Sequence, residues 1–336
     1  MKNFYKLLFL NLMIIGTLIS ISTMSWFTAW MGLEINLLAI IPLMKNFKNK
    51  YSTEATIKYF IIQAMASSML LFSIILISIF KNFNFNISLI SSILINSSLF
   101  MKMGAAPFHF WLPEVTSGLS WKLIFIILTW QKIAPMILLS YSMFNLMFIS
   151  IIIILSSLIS SFQGINQTCL RKILTYSSIN HTSWMIAAIL SSTIIWWYYF
   201  LIYTIINLNI LIIFNKYNLF TLNQITKLFT FNKNMKFFFM TNFLSLGGLP
   251  PFLGFYPKWL TINFLNFNNF YMLSLLLIIF TLISLYFYLR ITFSSFSLNF
   301  NESIIKMIKM VNFNHFLINM LSLMGLMMCI FLNNFI

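Results

Sequence analysis

Aspartate is absent from the 336 residues, and glutamate occurs only four times against 20 lysines and arginines. Charged residues of both signs make up 7 % of the chain and hydrophobic ones 60 %, where a soluble domain is about a quarter charged. That scarcity excludes an ordinary soluble fold. The two cysteines, Cys169 and Cys329, are too few and too far apart for an iron–sulfur cluster or a disulfide framework. The three histidines, His109, His181 and His315, have neither haem nor zinc spacing. No Walker loop is present, and Gly247-Gly248 follows no strand, so it is not a dinucleotide fingerprint. The expectation is a chain with no cofactor and no metal of its own.

What is present is apolar sequence in runs of about 20 residues, with a mean hydropathy of +0.93, the signature of an all-α polytopic membrane protein. Eleven spans account for the pattern: 4–22, 25–43, 55–80, 87–113, 121–141, 143–162, 171–190, 194–214, 235–267, 271–293 and 313–333. The N-terminal stretch has the charge-then-apolar profile of a signal peptide, but no small-residue cleavage site follows and a second apolar segment begins at once. It is read as a retained first helix. Between the eighth and ninth spans, residues 215–234 place Phe220, Leu222, Ile225, Leu228 and Phe229 near helical spacing, as a surface-lying amphipathic helix does.

The formal charge of +16 would suggest nucleic acid for a soluble chain. Here it reads as topology. With eleven spans, fifteen basic residues fall in the tails and loops on the side of the N-terminus and only Lys81 on the other. So strong a bias requires an odd number of spans and puts the N-terminus on the side of synthesis. No nucleic-acid partner is expected; lipid is.

Two of the spans are interrupted. Residues 102–113 read Lys-Met-Gly-Ala-Ala-Pro-Phe-His-Phe-Trp-Leu-Pro, and residues 247–258 read Gly-Gly-Leu-Pro-Pro-Phe-Leu-Gly-Phe-Tyr-Pro-Lys. Proline lacks the N–H and clashes with the preceding turn, so neither stretch continues as a helix. In hydrocarbon the freed backbone groups must be satisfied by protein or water. Gly104-x-x-Pro107 resembles Gly247-x-x-Pro250, 143 residues on. Matching interruptions in two halves point to an inverted-repeat transporter with its ion site at the breaks.

Ionisable residues inside the spans are costly and are functional candidates by default. They are Glu34 in the second span, Lys58 near the end of the third, Lys102 before the first break, Lys132 in the fifth, His181 in the seventh and Lys258 at the second break. Structural readings stand beside these: a snorkelling Lys58, a structural pair of Glu34 with one lysine, and a hydrogen-bonded interior His181. One carboxylate cannot neutralise Lys102, Lys132 and Lys258 together, however. Groups so placed are suited to exchange protons along water and would titrate as a coupled set.

Six segments then carry a resemblance: Trp-Met-Gly-Leu-Glu34; Ser-Thr-Glu54-Ala-x-x-Lys58-Tyr-Phe; Lys102-Met-Gly-Ala-Ala-Pro-Phe-His-Phe-Trp-Leu-Pro-Glu114-Val; Leu-Thr-Trp-Gln-Lys132-x-Ala-Pro; Arg171-Lys-Ile-Leu-x-Tyr-Ser-Ser-Ile-x-His181; and Gly-Gly-Leu-Pro-Pro-x-x-Gly-Phe-x-Pro-Lys258-Trp. Together, and in order over essentially the whole chain, they resemble the antiporter-like membrane-arm subunits of NADH–ubiquinone oxidoreductase (respiratory complex I) of animal mitochondria. Abundant Phe, Ile, Asn and Lys with only two Arg suit an AT-rich mitochondrial gene such as an insect's.

The resemblance implies a proton-pumping subunit of the mitochondrial inner membrane, with its N-terminus in the matrix and its C-terminus in the intermembrane space. It would be surrounded by other membrane-arm and accessory subunits of the complex. NAD, FMN, iron–sulfur clusters and ubiquinone would belong to those other subunits. It implies two inverted five-helix repeats, residues 1–141 and 142–293, with broken fourth and ninth helices, followed by a loop and an extra helix over 294–336. By family role Glu34 and Lys102 form an input-side pair, Lys132 a relay and Lys258 the exit-side lysine, with His181 and Lys58 as further relay members. Ser245 falls where Lys102 stands in the first motif, so the repeats differ in proton chemistry. An independent cation–proton antiporter and a scaffold subunit are the competing readings. The topology has a direct test: amine reagents applied from the matrix label Lys48 and Lys306, and labelling of either from the opposite side contradicts eleven spans.

Overall fold

The structure of the protein, a computed structural model, describes residues 2–46, 49–79, 85–143, 145–228, 233–296 and 319–320. These are helical almost throughout, with an isolated bridge between Cys169 and Thr221 as the extended pairing. The chain divides into two compact units, Met1–Ser156 and Ser157–Ile336.

In the first unit α1 (Lys2–Ser22) and α2 (Trp26–Met44) pack as a hairpin. Ser25 caps α2, accepting the Thr28 N–H at 3.3 Å. α3 (Lys50–Ile79) begins five residues before the expected span and packs on α4 (Phe85–Met103) and α5 (Trp111–Gly118), the two halves of the first broken helix. The expected single span 121–141 is also divided, into α6 (Trp121–Leu128) and α7 (Trp130–Tyr141). Pro135 removes a helical N–H and crowds the carbonyl four residues back, at Gln131. The Thr129 hydroxyl bonds back to the Phe125 carbonyl at 2.6 Å. Such back-bonding bends helices, so the chain turns there. α8 (Leu146–Ile165) carries the boundary between the units.

The second unit is built on α9 (Leu170–Ser191), in which every residue from Ile173 to Ile189 is buried. α10 (Thr193–Tyr217) and α13 (Phe255–Phe267) pack on it, and α12 (Lys233–Gly247) packs on α10 and α14 (Tyr271–Phe296). In the segment expected to be an amphipathic helix, α10 runs on to Tyr217 and a short α11 (Leu222–Leu228) follows; residues 229–232 lie outside the described ones. Seven helices among the described residues are long and apolar enough to cross a bilayer: α1, α2, α3, α6 with α7, α8, α10 and α14. α4 and α12 supply shorter apolar stretches because they are half-helices. The expected span 313–333 falls outside the described residues apart from 319–320.

Both half-helices end in the same way. Gly104 has φ +72° and donates its N–H to the Met101 carbonyl at 3.3 Å, while Ala105 donates to Phe100 at 3.0 Å. Gly248 has φ +77° and donates to Ser245 at 3.0 Å, while Leu249 donates to Leu244 at 3.3 Å. Each is a Schellman motif, whose left-handed residue glycine adopts without strain. The helix ends, Met103 and Gly247, and the restarts, Trp111 and Phe255, keep the same offset of 144 residues. This corrects the sequence alignment by one. Gly104 pairs with Gly248 and Pro107 with Pro251, and the counterpart of Lys102 is Leu246 rather than Ser245. The doublets Gly247-Gly248 and Pro250-Pro251 admit either register, and only the backbone conformation decides.

Gly254, at the start of α13, sits against the end of α12: a Cβ there would lie 1.7 Å from the Ser245 carbonyl oxygen. A Cβ on Gly247 would meet nothing closer than 3.7 Å. Gly254→Ala is therefore expected to lose most of the assembled protein, since overpacking against backbone costs about 1–3 kcal/mol or more, while Gly247→Ala assembles normally. Equal assembly of the two variants in native gels would contradict this packing.

Candidate functional site: two breaks with buried lysines

At the first break Lys102 stands in the last turn of α4, where the C-terminal end of the helix dipole favours a cation. The residue is 6 % exposed, and its ammonium makes no hydrogen bond among the described residues. It faces a cavity of about 10 Å³, room for a single water, shared with Asn36, Tyr59, Gln63 and Gln131. Gln63 donates to the Lys102 carbonyl at 3.2 Å. Trp111, across the break, donates its indole N–H to the Met101 carbonyl at 3.1 Å. Asn36 and Gln131 exchange two amide hydrogen bonds, at 3.1 and 2.9 Å. That pair ties α2 to the start of α7, beside the kink that presents Lys132. Lys132 is buried.

At the second break the lysine arrives from the other half. Lys258 belongs to α13, but its Nζ reaches back to the end of α12, donating to the Gly247 carbonyl at 2.9 Å and the Leu246 carbonyl at 3.3 Å. Its alkyl chain covers Gly248, where a Cβ would lie 2.8 Å from Lys258 Cδ. The ammonium stands 5.8 Å from the centre of the Trp184 ring, within cation–π range. Leu246 also lines a second cavity of about 10 Å³, with His181, Tyr199, Tyr203 and Ser245. His181 Nδ1 and the Tyr199 hydroxyl are 2.8 Å apart.

The arrangement places three amines and an imidazole inside apolar units, two of the amines at the C-terminal ends of interrupted helices. Such groups are chemically able to hold and release protons, and each cavity has room for about one water. Among the described residues no cluster of three His, Cys, Asp or Glu could hold a metal.

The sequence profile described as NADH:quinone oxidoreductase/Mrp antiporter, TM, matches residues 23–285. The NADH-ubiquinone oxidoreductase chain 2 of Anopheles gambiae is 49 % identical over 307 residues, 90 % of this chain and 89 % of that one. The chain 2 protein of Locusta migratoria is 48 % identical, over 90 % and 88 %. The chain belongs to the NADH–ubiquinone oxidoreductase chain 2 family. The fold also matches a chain in the solved structure of respiratory complex I from Thermus thermophilus with bound aureothin, with a TM-score of 0.84 and 21 % identity, covering 96 % of this chain and 78 % of that one.

Within this chain 2 fold the candidate residues separate. Glu34 is half-buried on α2, with one carboxylate oxygen buried and unbonded. Glu34 and Lys102 are further apart than the 4.0 Å of an ion pair. Lys58 adjoins the first break from its exposed side: its side chain is 40 % exposed, pairs at 2.9 Å with both Glu54 and Glu114, and lines a cavity with Phe110 and Trp111. Trp111, Trp121 and Trp196 are buried. Sequence reasoning passed over Asn36, Gln63, Gln131, Tyr199 and Tyr203. Asn36 and Gln131 carried an available signal, an amide inside an apolar span within two residues of Glu34 or Lys132, whereas Gln63, Tyr199 and Tyr203 lie more than a turn from any charged candidate.

The amide pair has a clean test. Asn36→Leu strands the Gln131 amide in the interior and is expected to cost about 1–3 kcal/mol, while Asn36→Leu with Gln131→Leu recovers much of the loss. Thermal stability of the assembled complex reads both. Additive losses would show that the two amides do not interact.

Proposed function

We propose that the chain is a proton-translocating membrane-arm subunit of respiratory complex I, in the mitochondrial inner membrane with its N-terminus toward the matrix. Electron transfer from NADH to ubiquinone takes place in other subunits of the complex. Here the work is proton movement: Glu34 and Lys102 take protons in, Lys132 passes them on, and Lys258 with His181 releases them. The observation that carries the reading is the pair of helix breaks, each with a buried lysine at the C-terminal end of its first half and a water-sized cavity alongside. Membership of a family that spans quinone oxidoreductases and Mrp antiporters supports ion movement as the shared task. An antiporter working alone is the second reading that this family description admits. Exchange activity of the chain purified by itself would favour it.

Water or a carboxylate is what would stabilise the charge on Lys102, because its ammonium makes no hydrogen bond among the described residues. Glu34→Gln removes the nearby negative charge while keeping the shape. Coupled NADH:ubiquinone turnover is expected to fall by roughly tenfold, the effect of about 1.4 kcal/mol on the rate-limiting step, with assembly preserved. Normal turnover across the pH range at an unchanged proton-to-electron ratio would reduce Glu34 to a structural residue.

A further inference from the structure

Lys58 is the charged candidate that the relay above leaves aside, and its company is unusual for this chain. Of the four glutamates in the sequence, two, Glu54 and Glu114, each give one carboxylate oxygen to its ammonium at 2.9 Å. The three side chains are all at least 40 % exposed. Ion pairs so exposed add little to stability, and a single carboxylate would already neutralise the lysine. The second one leaves the cluster with a net charge of −1, on the side of the chain where the tails and loops are basic. That excess acid calls for a cation from outside the cluster.

The cluster sits at a definite depth. α3 and α5 cross antiparallel: Gly118 abuts Tyr51 and Ala55, Glu114 meets Lys58, and the Trp111 ring lies 5.7 Å from that of Tyr59. α3 has 30 residues, a length of about 45 Å, which matches a bilayer with its headgroups at about 40–45 Å. Glu54 stands about 6 Å and Lys58 about 12 Å from the Lys50 end of the helix. This is where headgroups give way to acyl chains, and the flexible lysine stem can carry its charge outward. One turn deeper on the same face of α3 come Ile61 and Ile62. With Phe110, Trp111, Lys58 and Glu114 they line a cavity of about 250 Å³. Its charged groups are at the outer end and its apolar walls run inward from them.

We propose that this cavity seats one phospholipid with an ethanolamine headgroup. The primary ammonium of that headgroup donates N–H groups to the Glu54 and Glu114 carboxylates, and the phosphate accepts from Lys58, whose ammonium has a third N–H beyond the two given to the glutamates. Charge selects the headgroup. A phosphatidylglycerol brings a negative charge and no cation to a cluster already at −1, and the quaternary ammonium of a choline has no N–H to donate. One acyl chain lies along Ile61, Ile62 and Phe110 and reaches Trp111, which ties the two half-helices together by donating to the Met101 carbonyl across the first break at 3.1 Å. A lysine or arginine of a neighbouring subunit is the competing occupant. It would answer the excess acid, but it offers no anion to Lys58 and no apolar tail to the inner walls.

The test uses the assembled complex, delipidated in detergent and offered dioleoyl phosphatidylethanolamine, phosphatidylcholine or phosphatidylglycerol separately. Lipid retained after washing is counted by mass spectrometry, for the unmodified complex and for the double variant Glu54→Gln with Glu114→Gln. The unmodified complex is expected to retain one more ethanolamine lipid than the variant, while the choline lipid is retained equally by both and the glycerol lipid no less by the variant. Equal retention of the ethanolamine lipid, or a matching loss of the choline lipid in the variant, overturns the proposal. Should the variant fail to assemble, a structure of the unmodified complex in the ethanolamine lipid decides. A headgroup between Glu54 and Glu114 with its phosphate at Lys58 supports the site; a neighbouring subunit's ammonium or guanidinium in that place, or an empty cavity, overturns it.

Discussion

The constraint on which the structure turns is the cut end of a helix inside an apolar protein. A helix that stops leaves its last carbonyls without intrahelical partners and a partial negative charge at its end. In water that end is solvated. Between packed helices it must be met by the chain itself. Here it is met twice with the same backbone device, a left-handed glycine at Gly104 and Gly248, and twice with a lysine. The lysines come from different places. Lys102 is the penultimate residue of α4 itself, whereas Lys258 reaches across from α13 to the carbonyls of Leu246 and Gly247. With the corrected register, Leu246 is the residue equivalent to Lys102, so the second break recovers at that point, from the opposite half-helix, the charge that its own sequence lacks. The position equivalent to Lys258 in the first half is Glu114, which lies half-exposed and paired with Lys58. The two halves therefore present a cation to a helix end through non-equivalent residues.

This difference has a consequence for the surrounding helices. Lys102 has no hydrogen-bond partner for its ammonium among the described residues, and amide side chains from α2, α3 and α7 gather around its cavity. Lys258 is held by carbonyls, and its surroundings are an indole and the His181–Tyr199 pair. α9 can carry so many hydroxyls through a wholly buried stretch because they are satisfied within the helix. Among its longer side chains Asn180 and His181 reach outward, to Ser284 and Tyr199.

Much of this was legible in the sequence where the physical signal is one-dimensional. Apolar runs give the spans, clustered Gly and Pro give the breaks, and a charge inside an apolar run stands out unaided. The features that were missed depend on conformation or on partners distant in sequence. The one-residue register error at Gly247-Gly248 arose because the motif fits both glycines, and only φ separates them. The bend at Thr129 rests on a hydroxyl back-bond combined with Pro135, neither of which breaks a helix alone. The Asn36–Gln131 pair joins residues 95 apart, and nothing local announces it. Lys58 shared the same signal as the buried lysines and differs from them only because Glu54 and Glu114 are within reach. The roles assigned to Glu34, Lys102, Lys132, Lys258 and His181 came from family resemblance, and geometry adds surroundings to those roles without reading them off directly.

The geometry at Lys258 also bears on how a lysine can both cap a helix and exchange a proton. An ammonium has three N–H donors. Two of them are used on the Leu246 and Gly247 carbonyls, and no hydrogen-bond acceptor among the described residues takes the third. If the third proton leaves, the two remaining N–H groups still serve the two carbonyls, and the nitrogen lone pair faces the direction the proton left. The cap weakens, because a neutral amine is a poorer donor than a charged one, but no bond has to break and the helix end need not move. An arginine here would keep the cap and lose the exchange, since its guanidinium stays charged. A methionine would match the packing and lose both. Of the residues that fill this volume, lysine is the one that would let a fixed helix end coexist with a movable proton.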